Sequence, residues 1–301
     1  MARGETGAAG PHGLAVIDKA EGWTSHDVVA KARGHLATRK VGHSGTLDPD
    51  ATGVLLLGVG KVTRLLKYLG YPEKHYRGVI VLGTATSTLD ASGEVTGSWD
   101  MSSVPLDAVR AQAANLTGDI LQVPPMVSAV QIDGKRLHEL ARQGIEVERK
   151  PRPVTVHSFT VGEPIGPGRF PIEVVCSSGT YIRSLAADIG TALGGGAHLR
   201  DLRRTAIGSF TVDQGVAIDD LTPEHLLTPA QAMRHLNPIT VEGDLVTAVG
   251  HGKQLPLDVL GASGLGPWAV LDSDGQLLAV YEPHRTGTAK PSVVLAPAAQ
   301  P

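Results

Sequence analysis

The sequence predicts an α+β protein with a second, smaller β-rich unit at its C-terminal end. Predicted strands and helices are mixed along most of the 301 residues without strict βαβ alternation. After about residue 240, short apolar segments alternate with turn residues. The 42% of hydrophobic residues is enough for a core, while 37 glycines and 20 prolines indicate many loops. We therefore expect one domain over residues 12–238 and another over 239–301.

The predicted elements follow from apolar periodicity and from residues that cap helices or form turns. Thr24 or Ser25 is expected to begin the first helix, and three glycines at 194–196 to end the helix at 181–193. Strands are predicted at 13–19, 76–82 and 172–176, helices at 62–69, 106–116 and 135–143, a turn at 87–93, and a helical connector at 223–238.

In the C-terminal unit, strands are predicted at 245–249, 268–271 and 277–281, with a hairpin turn at Asp274 and Gly275. Residues 1–11 are rich in Gly and Ala and lack the apolar core of a signal peptide, so we expect a disordered lead-in. The tail over 296–301 is expected to be frayed.

Composition excludes several classes of protein. The single cysteine, Cys176, excludes an intrachain disulfide framework and a multi-cysteine zinc site, which fits a reducing cytoplasm. It lies in an apolar segment, which favours a core position. None of the twelve histidines has paired metal-ligand spacing, and no P-loop is present, so we expect neither a metal nor a cofactor. No run of 18 apolar residues predicts a membrane span.

One carboxylate, Asp48, lies in a run of small residues at 42–53, with the sequence GHSGTLDPDATG. The glycines and the proline predict a loop, and small side chains let a bulky ligand approach the backbone. Two interpretations are open. Asp48 could cap a helix over 51–57, or it could act chemically on a large ligand.

The charge of the chain is unevenly distributed, although its net value is only −3. Residues 28–77 carry a net charge of +6, whereas residues 240–301 carry −3. Such a basic window is either a solvated face or part of a nucleic-acid interface, and it surrounds the Asp48 loop.

Polar side chains elsewhere suggest a constellation around that loop. Tyr76 is either a strand-edge aromatic or a ring that stacks on a base. Arg183 lies in a first helical turn, where the helix dipole disfavours a cation, so an anion is expected nearby and Asp48 is a candidate. An exposed or otherwise paired arginine is the alternative. The segments at 197–204, including Arg203 and Arg204, and at 135–150 are dense in donors that suit phosphate, although a solvated face would also explain them.

Six segments in this order resemble those of the bacterial TruB-type tRNA pseudouridine-55 synthases. They are DK at 18–19 with GWTS at 22–25; GHSGTLDP at 42–49 with ATGVL at 51–55; Lys74 and Tyr76 with the motif through Gly93; VPP at 123–125 with SA at 128–129; CS at 176–177 with GTYIR at 179–183; and LRR at 202–204 with Gly208 and Phe210. The resemblance implies a mixed, mainly antiparallel sheet flanked by helices and a PUA-like C-terminal domain.

The resemblance also implies roles for residues. Asp48 matches the family's catalytic aspartate, Tyr76 the tyrosine that stacks on the uracil, and Arg183 the arginine that pairs with the aspartate. His43 matches a histidine that keeps the tRNA loop open, and Tyr181 belongs to the same active-site motif. Residues 131–152, with Lys135 and Arg136, match a mobile arm that grips the RNA, and Arg203 and Arg204 are further candidates for RNA contacts.

The expected reaction isomerises uridine 55 of the tRNA T-loop without a cofactor, in a cytoplasmic monomer that binds the T-arm and needs no guide RNA or membrane. Attack of the carboxylate on C1′ and removal of the C2′ proton are both open. The alternatives are a guide-RNA-dependent, dyskerin-like synthase and a non-catalytic RNA-binding or tRNA-folding module. A uracil C5-methyltransferase is disfavoured, because it needs a nucleophilic cysteine.

Overall fold

The computed structural model describes residues 10–70, 72–128, 131–132, 135–137, 140, 143–145 and 147–295. The predicted disordered lead-in, except for residues 10 and 11, and the predicted frayed tail lie outside the described residues. Within the described part of the chain, no helix is long and apolar enough to cross a membrane.

A nine-stranded sheet forms the frame of the larger part of the molecule. Its order is β1-β3-β12-β4-β11-β10-β7, with β2 paired to β3 and β13 paired to β12. All pairs are antiparallel except β3 with β12, which confirms the mixed, mainly antiparallel sheet. In chain order, the strands are β1 (Gly13–Lys19), β2 (Val41–Ser44), β3 (Thr52–Val59), β4 (Lys74–Leu82), β5 (Thr84–Thr86), β6 (Val95–Ser98), β7 (Gly118–Gln122), β8 (Gln131–Ile132), β9 (Lys135–Arg136), β10 (Arg152–Val161), β11 (Arg169–Cys176), β12 (Ala197–Ile207) and β13 (Phe210–Thr211); β5–β6 and β8–β9 form separate hairpins.

Three helices pack on this sheet: α1 (Ser25–His35), α2 (Leu106–Asn115) and α3 (Ile182–Ala192). Thr24 caps α1 in a reciprocal capping box with Asp27, as the sequence predicts. Tyr181 is the residue before α3, so Arg183 lies in the first turn of that helix.

Strand β1 is buried on both faces. Its successive side chains point to opposite sides of the sheet and belong to two different hydrophobic clusters. Leu14 and Val16 belong to a cluster that extends to Val280 near the C-terminal end of the chain, whereas Ala15 and Ile17 belong to a cluster with residues of α1. Because a strand covered on both sides can be apolar throughout, the neighbouring strand β3 has an unbroken apolar sequence. A third cluster lies between α2, α3 and the β4–β11–β10 part of the sheet.

The C-terminal part contains a five-stranded sheet of order β14-β16-β17-β18-β15, which confirms a β-rich unit. Its strands are β14 (Asn237–Thr240), β15 (Leu255–Pro256), β16 (Trp268–Leu271), β17 (Leu277–Pro283) and β18 (Thr288–Val294). Two short helices, Asp244–Gly250 and Leu257–Leu260, lie beside it. The strands near 268–271 and 277–281 and the turn between them are therefore confirmed.

Three basic residues of the 28–77 window, all in the segment that follows β3, contact the C-terminal unit. Lys61 Nζ donates to the carbonyl of Leu295 at 3.2 Å, and Arg64 Nη1 donates to that of Val294 at 2.7 Å. Lys67 Nζ lies 2.9 Å from Glu282 Oε1. These three cations thus contact the C-terminal unit, so the basic window is not one continuous solvated or RNA-facing surface.

Several predicted elements are wrong, each for a local reason. The helix considered for 51–57 is strand β3, whose two-sided burial hides the strand period. The strand predicted at 245–249 is the helix Asp244–Gly250, because a five-residue apolar run does not distinguish the two structures. The segment 62–69 forms the 3-10 helices Gly60–Leu65 and Tyr68–Gly70, in which Val62 and Leu65 are buried at the three-residue spacing of that helix.

The helix predicted at 135–143 does not begin where expected, because Lys135 and Arg136 pair with β8 as a hairpin. The predicted connector at 223–238 contains only the short helices Pro223–His225 and Pro229–Ala232 before β14 begins.

The contacts of Glu282 with Tyr68 and Lys67 lead to a prediction about stability. The Tyr68 hydroxyl donates to Glu282 Oε1 at 2.6 Å, and this bond together with Lys67 lowers the pKa of Glu282. Glu282→Gln should lower the free energy of unfolding by about 1–2 kcal/mol at pH 7, the usual effect of losing a charge-assisted hydrogen bond. Urea denaturation measures this change.

The pH dependence of stability and a matched control variant test whether the effect comes from the charge of Glu282. Because the folded-state pKa of Glu282 is depressed, its contribution is present above the ordinary value of 4.5 and is lost as the pH falls further below it. Glu242→Gln, at an exposed residue of the same unit, should change stability by less than about 0.5 kcal/mol. Equal effects of the two substitutions would contradict the prediction.

Candidate active site

The loop over 45–51 joins β2 to β3 and places Asp48 at the middle of the main sheet. Its Leu47 side chain is buried, and the Leu47 N–H donates to Ser25 Oγ at 2.9 Å while the Ser25 hydroxyl donates back to the Leu47 carbonyl at 3.1 Å. Gly45 has a φ of 72°, a left-handed conformation that suits glycine. The loop is therefore fixed to the start of α1 and is not a free surface turn.

Lys19, the last residue of β1, also holds this loop in place. Its side chain is 1% exposed, and its ammonium donates to the carbonyls of Ala20, Trp23 and Pro49 at 2.7–2.9 Å. Burial lowers the pKa of Lys19 to about 8, an effect that the charge of Asp48 opposes. The protonated lysine thus supplies all three of its N–H groups to the backbone around Asp48.

Arg204 fixes the start of the loop. This arginine of β12 is 1% exposed, and its guanidinium donates to the carbonyls of Val54 at 2.7 Å, Gly45 at 2.9 Å and Thr46 at 3.4 Å. Its donors are therefore directed into the protein. Arg203, its neighbour, forms a bidentate pair with Asp18 at 2.7 and 3.0 Å and remains 38% exposed.

Asp48 and Arg183 form the ion pair that the sequence suggests. Arg183 Nη2 lies 2.9 Å from Asp48 Oδ2, and the arginine is 4% exposed whereas the Asp48 side chain is 41% exposed. The anion expected beside a cation in the first turn of a helix is therefore present. Asp48 is open to a ligand on one side and bonded to a buried cation on the other.

Arg183 has a second carboxylate partner that sequence reasoning missed. Its Nη1 lies 3.2 Å from Asp90 Oδ2, and Asp90 is only 18% exposed. The guanidinium also donates to the carbonyls of Thr88 at 2.8 Å and Val127 at 2.9 Å. Asp90 lies in the turn predicted at 87–93, but its contact with Arg183 spans more than ninety residues and leaves no local signal.

Burial and the charge of Arg183 shift the pKa of Asp48 in opposite directions. Burial raises the pKa of Asp48, Arg183 opposes this, and the charges of Asp90 and Asp50 raise it further. Because burial is the largest of these effects, the net result is a pKa above the ordinary aspartate value of 3.8. Asp48 is thus a more basic carboxylate than one in water.

Two cavities meet at Asp48. The inner one, of about 260 Å³, extends under the loop toward β4 and α3, and its lining includes Lys74, Tyr76, Ser178, Tyr181 and Leu202. The outer one, of about 420 Å³, opens to solvent past Glu21, Asp90, Arg200 and Arg203. Asp48 and Arg183 line both cavities.

A β-bulge shapes the wall between the cavities. The register of β12 with β4 shifts between Arg200 and Arg203, and Asp201 there has a φ of 52°, which is uncommon for a residue with a side chain. Leu202 lines both cavities as a result. The sequence analysis did not single out Leu202, because a bulge depends on pairing with a distant strand.

Two other predicted site residues, Tyr76 and His43, differ in where they lie and in how far they are buried. Tyr76, on β4, is 9% exposed and lines the inner cavity, and burial raises the pKa of its hydroxyl. His43 lies on β2 with its ring 5.3 Å from that of His26 in an edge-on arrangement, and its buried Nδ1 has no hydrogen-bond partner among the described residues. Burial lowers the pKa of His43.

Tyr181 is held through its backbone by a residue that the sequence analysis also missed. Gln122 is 3% exposed; its amide donates to the Tyr181 carbonyl at 3.0 Å and accepts from the Tyr181 N–H at 2.8 Å. Lys135 and Arg136 form β9, but their side chains lie outside the described part of the chain. No group of three or more His, Cys, Asp or Glu residues that could hold a metal ion occurs among the described residues.

Comparison with protein families identifies this arrangement. The model described as "TruB family pseudouridylate synthase (N terminal domain)" matches residues 33–182, and that described as "tRNA pseudouridylate synthase B C-terminal domain" matches residues 183–239. The chain belongs to the TruB family of pseudouridylate synthases. Asp48 and Asp90 lie within the first match, and Arg183 is the first residue of the second.

Relatives resemble this TruB-family chain over almost its full length. A protein named tRNA pseudouridine synthase B from Streptomyces coelicolor is 46% identical over 93% of this chain and 96% of its own length. One from Thermobifida fusca is also 46% identical, over 94% and 98% of the two chains. A third, from Arthrobacter sp., is 44% identical over 95% and 97%.

Solved structures support the family fold. A Cbf5-Nop10-Gar1 complex contains a chain with a TM-score of 0.71 and 29% identity, matching 91% of this chain and 79% of that one. An H/ACA RNP bound to a substrate RNA containing 2′-deoxyuridine gives a TM-score of 0.72 and 26% identity, over 95% and 86% of the two chains. The predicted pseudouridine synthase fold is thus confirmed.

The electrostatics of Asp48 can be tested directly by NMR titration of its carboxyl carbon. The midpoint should lie above 3.8, and Asp90→Asn should lower it, because this substitution removes a nearby negative charge and leaves Arg183 to Asp48 alone. Asp213→Asn, at an exposed residue, should leave the midpoint unchanged. A midpoint below 3.8, or one that Asp90→Asn does not move, would contradict this account.

Proposed function

We propose that this chain isomerises uridine 55 in the T-loop of tRNA to pseudouridine, with Asp48 as the catalytic carboxylate. The observation that carries the proposal is the pair of a buried Arg183 and a partly exposed Asp48 at the junction of two cavities. Membership of the TruB family and full-length relatives named tRNA pseudouridine synthase B support it.

The reaction exchanges one bond for another within a single nucleotide. The N1–C1′ bond breaks with its electron pair passing to N1, the uracil turns, and C5 bonds to C1′. The C5 proton then leaves and N1 gains a proton, so atoms and charge balance and no redox step occurs. A target base within RNA structure must first be extruded, at a cost of a few kcal/mol of stacking.

Asp48 acts in its ionised form. Its carboxylate either attacks C1′ to give a sugar ester, which C5 later displaces, or takes the C2′ proton to give a glycal and later returns it. The exposed side of Asp48 faces the cavities and the guanidinium of Arg183 stabilises its negative charge. Both routes place the sugar of the target nucleotide at Asp48 and release the uracil as an anion.

The inner cavity suits the extruded base. Tyr76 provides an aromatic face for stacking, and its hydroxyl is a candidate to assist loss of the C5 proton. Leu202, Tyr181 and the backbone of the loop supply further walls. We propose that His43, which is partly exposed on β2 beside His26, contacts the RNA loop through the accessible part of its ring.

The basic residues divide between architecture and RNA contact. Arg204 donates to carbonyls of the loop and of β3 and also contacts the Tyr76 hydroxyl, so its proposed role is to position both Asp48 and Tyr76. Arg203 lines the outer cavity with part of its surface exposed and is proposed to approach the RNA backbone. Lys135 and Arg136 are proposed to contact RNA from an arm over residues 131–152.

We further propose that the enzyme acts on tRNA as a cytoplasmic monomer without a guide RNA. The full-length relatives are named for tRNA, whereas the solved structures are described as H/ACA or Cbf5 assemblies. The likeness of the β-rich C-terminal unit to PUA domains remains a prediction. A methyltransferase is disfavoured, because burial raises the pKa of Cys176 to about 11 and its side chain is fully buried.

The central test treats an unmodified tRNA transcript with the purified chain alone and maps pseudouridine. The wild-type chain should modify position 55, and Asp48→Asn should reduce the rate by at least about 10⁴-fold while tRNA binding stays within a few-fold, because only the reacting charge is lost. Asp50→Asn, a neighbouring exposed carboxylate, should retain most of the activity.

The outcomes of that test are separable. Modification that requires an added guide RNA would favour the dyskerin-like alternative. Normal tRNA binding without any modification by the wild-type chain would favour a purely binding or folding role. Normal turnover by Asp48→Asn would remove this residue from the chemistry.

A second prediction concerns the arginine. Arg183→Lys should lower kcat by about 100-fold or more, because an ammonium cannot bond at once to Asp48, Asp90 and the two carbonyls that the guanidinium contacts. Tritium release from C5-labelled uridine in tRNA measures turnover. Arg110→Lys, at an exposed pair with Glu163, should behave as the wild type, and near-normal turnover of Arg183→Lys would refute the assignment.

A further inference from the structure

A buried lysine borders the inner cavity beside Tyr76. Lys74 precedes Tyr76 by two residues on β4, so strand geometry directs both side chains to the same face. Lys74 is 5% exposed and lines the inner cavity together with Tyr76 and Asp48. The reaction described above gives this lysine no role.

The partners of Lys74 are neutral. Its Nζ donates to Ser178 Oγ at 2.9 Å and to the Gly70 carbonyl at 3.4 Å. Within the described residues, no carboxylate lies within 4 Å of this ammonium. The cavity's arginines differ, since Arg183 is paired with carboxylates and Arg204 donates to loop carbonyls.

A buried cation without a counter-ion is costly, and an anion that enters the site removes that cost. Burial lowers the pKa of Lys74 to about 8, so the ammonium form prevails at neutral pH. The inner cavity therefore offers a positive charge whose neutralising anion is absent from the surrounding side chains.

We propose that Lys74 is a further catalytic residue that stabilises the uracil anion released when the N1–C1′ bond breaks. This inference rests on the proposed function. The base enters the cavity neutral. It becomes negative only when the bonding electron pair passes to N1, while C1′ bonds to Asp48 or C2′ gives its proton to Asp48 and a C1′–C2′ double bond forms. The charge disappears when C5 bonds to C1′, the C5 proton leaves and N1 is protonated.

Lys74 thus interacts more strongly with the cleaved state than with the bound substrate. Such a difference lowers the barrier, whereas equal attraction to both states would only tighten binding. The assignment also holds for both routes at the sugar, because each of them releases the same anion. Lys74 therefore acts at the base while Asp48 acts at the ribose.

The test compares Lys74→Met and wild-type protein on tRNA with uridine or 5-fluorouridine at position 55. Single-turnover conversion of the N-glycoside to the C-glycoside is followed by nucleoside chromatography. With uridine, Lys74→Met should be about 100-fold slower with tRNA affinity nearly unchanged. 5-Fluorouridine can form the C5–C1′ bond but has no C5 proton to lose, so the comparison concerns formation of that bond. With this substrate the defect should be at least about tenfold smaller, because fluorine itself stabilises the leaving uracil anion.

A matched variant and a second measurement complete the design. Lys253→Met removes an exposed lysine of the C-terminal unit and should match the wild type on both substrates. If Lys74→Met does not fold, inhibition of the wild-type enzyme by free bases decides: 5-nitrouracil, an anion at neutral pH, should inhibit more strongly than neutral thymine.

Each outcome has a definite meaning. Equal defects of Lys74→Met on the two substrates, an unimpaired Lys74→Met, or thymine inhibiting as well as 5-nitrouracil would overturn the role of Lys74. An inactive wild-type chain would instead overturn the proposed function. In an active enzyme, a defect of Lys74→Met that is at least about tenfold smaller on 5-fluorouridine than on uridine would establish Lys74 as the stabiliser of the anion.

Discussion

The buried guanidinium of Arg183 is the constraint on which the rest of the active site depends. A charge that is 4% exposed must be neutralised and fully hydrogen-bonded, and its partners come from segments distant in sequence. Asp48 belongs to the β2–β3 loop, Asp90 and the Thr88 carbonyl to the turn after β5, and the Val127 carbonyl to the segment before the arm. One helical residue thus determines where three loops lie.

Buried cations serve a common purpose throughout the site. Lys19 and Arg204 bond to backbone carbonyls of the loop rather than to carboxylates, so they fix its shape without forming an ion pair with Asp48. The loop needs such partners because its carbonyls are not paired in the sheet and an unsatisfied buried carbonyl is costly. The reacting carboxylate therefore rests on a rigid base and keeps one side open, a requirement for accurate positioning at a sugar carbon.

The sequence predicted what is local and missed what is distant. Strand β1, helix α1 with its Thr24 cap, and helix α3 follow from periodicity and capping, and the misplaced charge of Arg183 correctly indicated an anion. Strand β3 was missed because neighbours cover both of its faces. Asp90 and Leu202 lie in the matching segments, but no role was predicted for them or for Gln122, since their roles arise from contacts with residues distant in sequence and from a bulge. The family resemblance supplied the roles of Tyr76 and His43, which spacing alone does not imply.

The contact between the two sheets has a consequence for work with fragments. Residues 240–301 carry the entire net charge of the chain, −3, and they occupy the side chains of Lys61, Arg64 and Lys67. A fragment without this unit would release those cations beside a locally basic surface and would attract polyanions of any sequence. The stronger RNA binding of such a fragment would be non-specific and electrostatic. The acidic unit thus removes three cations of the basic window from the surface that polyanions can reach.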